Sequence, residues 1–280
     1  MTDVGGTKQD EGPEVTVLER REPEVLLVGG TANRGQVVRI GDTVRRPLRP
    51  TSPATHALLD HLAAVGFDGA PRYRGVDDEG REVLSYVRGT AITPPYPAWA
   101  LTVDALTSVA HLLRDYHRAV SSFDPTPYDW PPSPPSSFTG DLVSHNDVNL
   151  DNVVFRDRRA VALIDFDLAS PGSRVWDVAC AARLWTPLRP DRHIHDGRRG
   201  QVLARLRLFV DSYGLGDADR SRLVAAVREN HEWCYDVIGT AAADGHAGFS
   251  EYLAAGAGVR AEQVRAWYDE AADVLAAALR

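Results

Sequence analysis

The stretch that decides the fold is 143-VSHNDVNLDNVVFRDRRAVALIDFD-167. It contains two short apolar runs, at residues 153–155 and 160–164, on either side of a charged segment. This pattern predicts two antiparallel strands joined by a tight turn at residues 156–159. Because an antiparallel hairpin places the start of its first strand beside the end of its second, polar residues at those two points should lie together.

Three oxygen-bearing side chains occupy these points. Asp147, followed by four residues and then Asn152, precedes the first predicted strand, and Asp165 follows the second. In phosphoryl-transfer sites this Asp-to-Asn spacing joins a base to a metal ligand, and Mg²⁺ is bound by carboxylate and amide oxygens. The alternative interpretation is two ordinary turns rich in Asp and Asn. The number of suitable residues at suitable spacing favours a site for phosphoryl transfer.

The segment resembles the active site of the aminoglycoside phosphotransferase family, small-molecule kinases that share the protein-kinase-like fold. The resemblance implies Asp147 as the catalytic base, with Asn152 and Asp165 as magnesium ligands. His145 and Asp177 are then expected to support the catalytic loop. The matching pieces are HND at residues 145–147 with Asn152, IDFD at 164–167 and WDVA at 176–179.

The resemblance implies an α+β, bilobal protein-kinase-like fold. Residues 15–88 would form a nucleotide-binding lobe, an antiparallel sheet with one helix, and residues 89–280 a mainly helical catalytic and acceptor-binding lobe. Residues 1–14 lack apolar periodicity and are interpreted as a mobile tail. Pro53 and Gly66 mark the start and end of the one helix. The predicted strands of the first lobe are residues 15–18, 24–28, 36–40, 43–46 and 82–87.

Two segments of the first lobe are candidates for nucleotide contacts. The loop GGTANRG at residues 29–35 can bring backbone amides close to phosphates, which predicts contacts from Gly30, Thr31 and Asn33. The loop matches no standard phosphate-binding motif, so a plain hairpin connection is the alternative. By the family resemblance, Ser85 and Val87 lie on the strand and linker whose backbone meets the purine of the nucleotide. The alternative is an edge strand followed by a turn.

The cation that binds the nucleotide phosphates must be an arginine, because Lys8 is the only lysine in the chain. Side chains alternate across a strand, so only one of Arg45 and Arg46 can face the cleft. We predict Arg45, from its place two residues before Pro47, where the family often has a basic residue. The family commonly pairs this cation with a glutamate on the helix, where this chain has Thr55 and His56. The orientation of the cation is therefore left open.

The helical half is predicted to bind a small acceptor. The chain runs almost directly from Asp167 to the WDVA segment, which leaves no room for the activation segment of a regulated protein kinase. Glu229, Glu232 and Asp236 share one face of a long predicted helix at residues 217–242. Such a stripe of acidic residues more commonly marks a helix face that is exposed to solvent. The family places acidic acceptor contacts on C-terminal helices, which makes Glu232 and Asp236 candidate substrate contacts.

The charge and the cysteine content of the chain limit which binding partners and which cellular compartment are expected. A net charge of -8 argues against nucleic-acid binding, which needs a basic face, and is compatible with a cationic acceptor. Cys180 and Cys234 are too few for a disulfide framework. The sequence contains no apolar run of membrane-spanning length and no secretory signal pattern. We therefore expect a cytoplasmic protein without a membrane or nucleic-acid partner.

The predicted reaction is transfer of the γ-phosphoryl group of ATP or GTP, with Mg²⁺, to a hydroxyl of a small molecule. The family resemblance and the acidic charge favour an aminoglycoside-like antibiotic or related aminosugar, and other alcohols, including choline-like ones, stay open. One alternative is a nucleotide-binding protein without catalysis. Another is a metal-dependent phosphohydrolase that uses His145, Asp147, Asp165 and Asp167, which the Asp-to-Asn spacing disfavours.

Overall fold

A computed structural model describes residues 23–27, 35–140 and 142–280. The predicted tail at residues 1–14, the predicted strand at residues 15–18 and the predicted phosphate contacts Gly30, Thr31 and Asn33 lie outside these ranges. The division at residue 88 stays a prediction. Within the described ranges, none of the helices is both long enough and apolar enough to cross a membrane.

The first half of the described chain is an antiparallel sheet that carries one helix. Its strands are β1 (Val25–Leu26), β2 (Val38–Ile40), β3 (Thr43–Pro47), β4 (Tyr73–Val76) and β5 (Arg81–Ser85), in the order β1-β2-β3-β5-β4. Gly41, with a φ of 56°, allows the tight turn between β2 and β3. Helix α1 (Ser52–Ala64) begins with Pro53 in its first turn and ends before Gly66, whose φ is 76°. The sheet with a single helix is confirmed.

Strand β4 was missed by the sequence reasoning. Gly75 in its middle has a φ of 114° and breaks the pairing register with β5, so the segment lacks the apolar alternation of a regular strand. The short strand β6 (Thr90–Ala91), which pairs with the catalytic hairpin, was also missed because two residues show no pattern.

The predicted hairpin is confirmed as β8 (Val153–Arg156) and β9 (Arg159–Leu163), with Val153 opposite Leu163. Asp157 and Arg158 between the strands have φ values of 50° and 63°, as a two-residue turn that follows the sheet twist requires. Strands β7 (Leu142–Ser144) and β10 (Ser170–Gly172) pair just outside the hairpin. The loop that follows β7 and the segment after Asp165 are thereby held side by side.

Helices form the rest of the second half. They are α2 (Val103–Val120), α3 (Arg174–Trp185), α4 (Val202–Tyr213), α5 (Asp217–Ala243), α6 (Ala247–Tyr252) and α7 (Gly258–Ala278). Thr102 caps α2 by accepting a hydrogen bond from the backbone N–H of Ala105. Helix α3 is buried on nearly every side, between the catalytic loop and α5. An α+β fold with an N-terminal sheet and a helical C-terminal part is confirmed.

Candidate functional site

The hairpin brings Asp147, Asn152 and Asp165 to one place. The Asn152 Nδ2 donates hydrogen bonds to the Asp147 Oδ2 at 2.7 Å and to the Asp147 backbone oxygen at 2.9 Å. The backbone N–H of Ile164, which precedes Asp165, donates to the Asn152 backbone oxygen at 2.9 Å. These contacts tie the two ends of the hairpin together, so the base candidate and the two metal-ligand candidates form one unit.

Asp177 supports the loop that carries Asp147. Its carboxylate is fully buried at the start of α3 and accepts hydrogen bonds from the backbone N–H groups of His145 at 2.8 Å and Asn146 at 2.9 Å. The His117 Nε2 lies 2.9 Å from the same carboxylate. Burial opposes ionisation, but these hydrogen bonds and the His117 partner lower the pKa of Asp177. Asn146 is held in the left-handed region, with a φ of 64°, so the loop conformation depends on these contacts.

His145 links the loop to the end of β9. Its Nε2 lies 3.1 Å from the backbone oxygen of Ile164, and its Nδ1 accepts a hydrogen bond of 3.3 Å from the backbone N–H of Asp147. A carbonyl can only accept, so Nε2 carries the proton and the ring is neutral. Burial, the largest effect, lowers the pKa of His145 in agreement with that state. Both nitrogens are occupied, which argues against a phosphohydrolase in which His145 binds metal.

Burial disfavours the ionised form of both carboxylates of the site, Asp147 and Asp165. Burial, with the charge of Asp165, raises the pKa of Asp147 to about 8. Burial, with the charge of Asp167, raises the pKa of Asp165 to about 6, although Arg46 acts in the opposite direction. A cation bound near these side chains would favour their ionised forms and lower both pKa values.

Mg²⁺ fits the oxygen atoms that remain open. Asn152 uses its Nδ2 toward Asp147, and Asp165 uses its Oδ1 toward Arg46. Within the part of the chain that the structure describes, the Asn152 Oδ1 and the Asp165 Oδ2 accept no hydrogen bond. One amide oxygen and one carboxylate oxygen, completed by water and phosphate oxygens, make the donor set that Mg²⁺ prefers.

The prediction of Arg45 as the cation of the cleft is wrong, and Arg46 takes that place. Alternation along β3 turns Arg45 to the other face of the sheet, where its Nε lies 3.3 Å from the Oδ2 of Asp77. The Arg46 side chain is 8% exposed, and its Nη1 lies 2.9 Å from the Oδ1 of Asp165. Its Nη2 lies 2.8 Å from the Oδ1 of Asp167, which also pairs with Arg49.

The acid partner of Arg46 was also missed. Glu82 on β5 lies directly opposite Arg46 in the sheet register, and its Oε1 is 2.6 Å from the Arg46 Nε. Residues paired across neighbouring strands project to the same face, so a register alignment of β3 with β5 would have found the pair. The family resemblance points instead to α1, where Thr55 or His56 stands near the position of the acid and neither carries a fixed negative charge.

A cavity of about 440 Å³ lies between the sheet and the hairpin. Ser85 and Val87, predicted to meet the nucleotide, line it. Its lining also contains the charged and amide side chains of Arg46, Asp151, Asn152 and Asp165. Its other walls include apolar side chains of both halves of the chain, namely Leu27, Val37, Val44, Leu84, Val154 and Ile164.

Glu232 and Asp236, the predicted acceptor contacts, are not joined to this unit. The Oε1 of Glu232 lies 3.8 Å from the Nε of Arg265 on α7, and Asp236 is exposed. Neither forms a hydrogen bond or ion pair with the Asp147 loop in the described ranges. Arg183 of α3 contacts Asn230 and Cys234 of α5, and its positive charge acts against the rise in the pKa of Asp147.

Comparisons with known proteins agree with this architecture. Residues 129–209 match the phosphotransferase enzyme family (APH). The trifolitoxin immunity protein of Rhizobium leguminosarum bv. trifolii is 32% identical over 217 residues, which cover 72% of this chain and 78% of that protein. A GDP complex of aminoglycoside 2'-phosphotransferase-IIIa superposes with a TM-score of 0.60 at 15% identity, covering 89% of this chain and 94% of that one. A choline/ethanolamine kinase family protein from Mesorhizobium loti gives 0.60 at 15% identity, with 94% of each chain covered.

The fold and the site together define a phosphotransferase with the protein-kinase-like architecture. The chain belongs to the aminoglycoside phosphotransferase family. The resemblance carried by the HND, IDFD and WDVA segments is thereby confirmed.

Proposed function

We propose that this protein is a Mg²⁺-dependent kinase that transfers the γ-phosphoryl group of ATP or GTP to a hydroxyl of a small molecule. The observation that carries the proposal is the single hydrogen-bonded unit of Asp147 and Asn152 beside Asp165, of which Asn152 and Asp165 line the 440 Å³ cavity. A base, two metal ligands and a phosphate-binding cation are nearly all that phosphoryl transfer requires of a protein.

Asp147 is the group that receives the acceptor proton. As the acceptor oxygen bonds to the γ-phosphorus, the bond from that phosphorus to the leaving diphosphate oxygen breaks, and the hydroxyl proton passes to the Asp147 carboxylate. A pKa of about 8 suits a base that works near neutral pH. Asn152 and Asn149 each donate a hydrogen bond to this carboxylate and keep it oriented. When bound, Mg²⁺ neutralises charge on the phosphates, and Asn152 with Asp165 would hold it.

The cavity supports nucleotide binding. Its lining provides apolar side chains for contact with a base, the segment from Ser85 to Val87, and the positive charge of Arg46. The GDP complex of the superposed aminoglycoside phosphotransferase shows that this fold accepts a purine nucleotide in that relative. The choice between ATP and GTP is left to direct competition.

An aminoglycoside-like, cationic acceptor is the leading class. The net charge of -8, the family and the superposed aminoglycoside phosphotransferase favour it. The choline/ethanolamine kinase neighbour makes small amino alcohols a further candidate class of acceptor, and the relative named for trifolitoxin immunity makes toxins another. If Glu232 and Asp236 contact the acceptor, Glu232→Gln with Asp236→Asn will raise its KM and leave kcat unchanged. An unchanged KM removes both residues from the acceptor site.

The test is an acceptor screen with ATP and with GTP, followed by mass spectrometry for an added phosphate. Product that requires Mg²⁺ and disappears in Asp147→Asn supports the proposal. Nucleotide-dependent thermal stabilisation with no product from any acceptor would instead identify a binding protein without catalysis. Phosphate release from simple esters without nucleotide would identify a phosphohydrolase.

A further inference from the structure

Each nitrogen of the Arg46 guanidinium is bound by a different carboxylate. The Nε lies 2.6 Å from Glu82, Nη1 lies 2.9 Å from Asp165 and Nη2 lies 2.8 Å from Asp167. Asp165 and Asp167 belong to the hairpin side of the cleft, whereas Glu82 belongs to the same sheet as Arg46. A guanidinium is planar and rigid, so the contact at Nε sets the direction in which the two Nη atoms point.

Glu82 is itself held on both oxygens. It is 1% exposed, and its second oxygen, Oε2, lies 2.8 Å from the Nε2 of His56 on α1. The His56 ring is stacked on Tyr73 of β4, with ring centroids 3.7 Å apart and planes 12° apart. A buried carboxylate is stable as an ion only when its oxygens are paired, and here one pairs with the cation and the other with the helix.

We propose that Glu82 is a positioning residue that aims the Arg46 guanidinium at the nucleotide phosphates, and that His56 transmits the position of α1 to it. In the family the helix supplies the acid directly to the cation. In this chain the helix supplies a histidine, and the acid comes from β5 between them. The inference rests on the proposed function, since it assumes that phosphates bind at Arg46.

A second acid-arginine pair in the same sheet makes it possible to separate this positioning role from a general effect on the stability of the sheet. Asp77 and Arg45 form a comparable acid-arginine pair at 3.3 Å on the opposite face of the same strand, away from the cavity. Both pairs contribute to the sheet, but Arg46 lines the cavity. Removing the acid of each pair therefore distinguishes an effect on the phosphate site from an effect on the sheet.

The experiment compares the affinities of wild type, Glu82→Gln and Asp77→Asn for a nucleoside triphosphate and for the corresponding nucleoside, by calorimetric titration with Mg²⁺. Glu82→Gln keeps the side-chain shape and removes the charge. We expect its triphosphate affinity to fall on the order of tenfold, the effect of one charge-assisted hydrogen bond, with nucleoside affinity unchanged. Asp77→Asn should bind both as wild type does. His56→Phe, which retains the stacking on Tyr73 but loses the bond to Glu82, should show the same selective loss.

Three results overturn the inference. They are wild-type triphosphate affinity in a folded Glu82→Gln, an equal loss of nucleoside and triphosphate affinity, and an equal loss in Asp77→Asn. If Glu82→Gln does not fold, His56→Phe decides by the same criterion. A wild-type protein that binds no triphosphate refutes the proposed function itself. Wild-type binding with an unaffected Glu82→Gln refutes the positioning role alone.

Discussion

The Nη1 of Arg46 lies 2.9 Å from the Oδ1 of Asp165, although the two residues are 119 positions apart in the chain. The contact joins strand β3 of the sheet to the end of the hairpin, across the cavity proposed to hold the nucleotide. Three carboxylates surround this guanidinium, and their charges outweigh burial and raise the pKa of Arg46. The proposed phosphate-binding cation and the proposed metal ligand are therefore one electrostatic unit.

Replacing Arg46 by lysine should weaken nucleotide binding even though the charge is retained. A lysine ammonium is a point charge and cannot reproduce the three separate directions in which Arg46 donates. We expect the nucleotide KM to rise roughly tenfold, with a smaller change in kcat. Steady-state kinetics against nucleotide concentration measure both. The matched control is Arg45→Lys on the opposite face of β3, and an equal rise in that variant would contradict the assignment.

Asp147→Asn should abolish most turnover while leaving nucleotide affinity close to that of wild type. The substitution keeps the shape of the side chain but removes the group that receives the acceptor proton. Loss of a general base costs roughly 10²–10⁴-fold in kcat. Asp157→Asn in the turn of the same hairpin is the control, because asparagine tolerates the left-handed backbone there. Full activity in Asp147→Asn would refute the role of Asp147 as the general base.

The same substitution should change how stability depends on pH in the nucleotide-free protein. The folded state keeps a proton on Asp147 up to about pH 8, whereas the unfolded chain loses it near the ordinary value of 3.8. Stability is therefore lost as pH rises through this window, by up to roughly 1.4 kcal/mol per pH unit. We expect the melting temperature of Asp147→Asn to exceed that of wild type by more at pH 8 than at pH 5. A difference that does not vary with pH would show that the Asp147 pKa is ordinary.

Asp177→Asn should destabilise the protein more than it perturbs the chemistry directly. The asparagine side chain at this fully buried position offers one acceptor oxygen instead of two to the backbone N–H groups of His145 and Asn146. We expect a loss of about 3 kcal/mol in the free energy of unfolding, measured by urea denaturation. Asp211→Asn, which removes an exposed pair with Arg220, is the control and should cost less than about 1 kcal/mol. Equal losses would mean that the loop does not depend on Asp177.

The hairpin, and the meeting of Asp147, Asn152 and Asp165 at its ends, were predictable because the information is local. Two apolar runs, the charged segment at residues 156–159 and the spacing from Asp147 to Asn152 all lie within one short stretch, and an antiparallel hairpin has only one way to bring its ends together. The apolar residues of α2 also recur at helical spacing over its whole length, which is likewise local information. These parts require no knowledge of what packs against them.

Only the tertiary structure decided which charged side chains face the site and how they are paired. Arg45 and Arg46 are adjacent, so the choice between them depends on which face of β3 meets the cleft, and a shift of one residue reverses it. Glu82 became the partner of Arg46 through the pairing of β3 with β5, and burial raised the pKa of Asp147. Strand register and desolvation are set by residues distant in the chain. The sequence by itself therefore determined that Asp147, Asn152 and Asp165 meet at the ends of one hairpin. The packing of the two halves determined which arginine and which acid join them, and it set the proton affinity of Asp147.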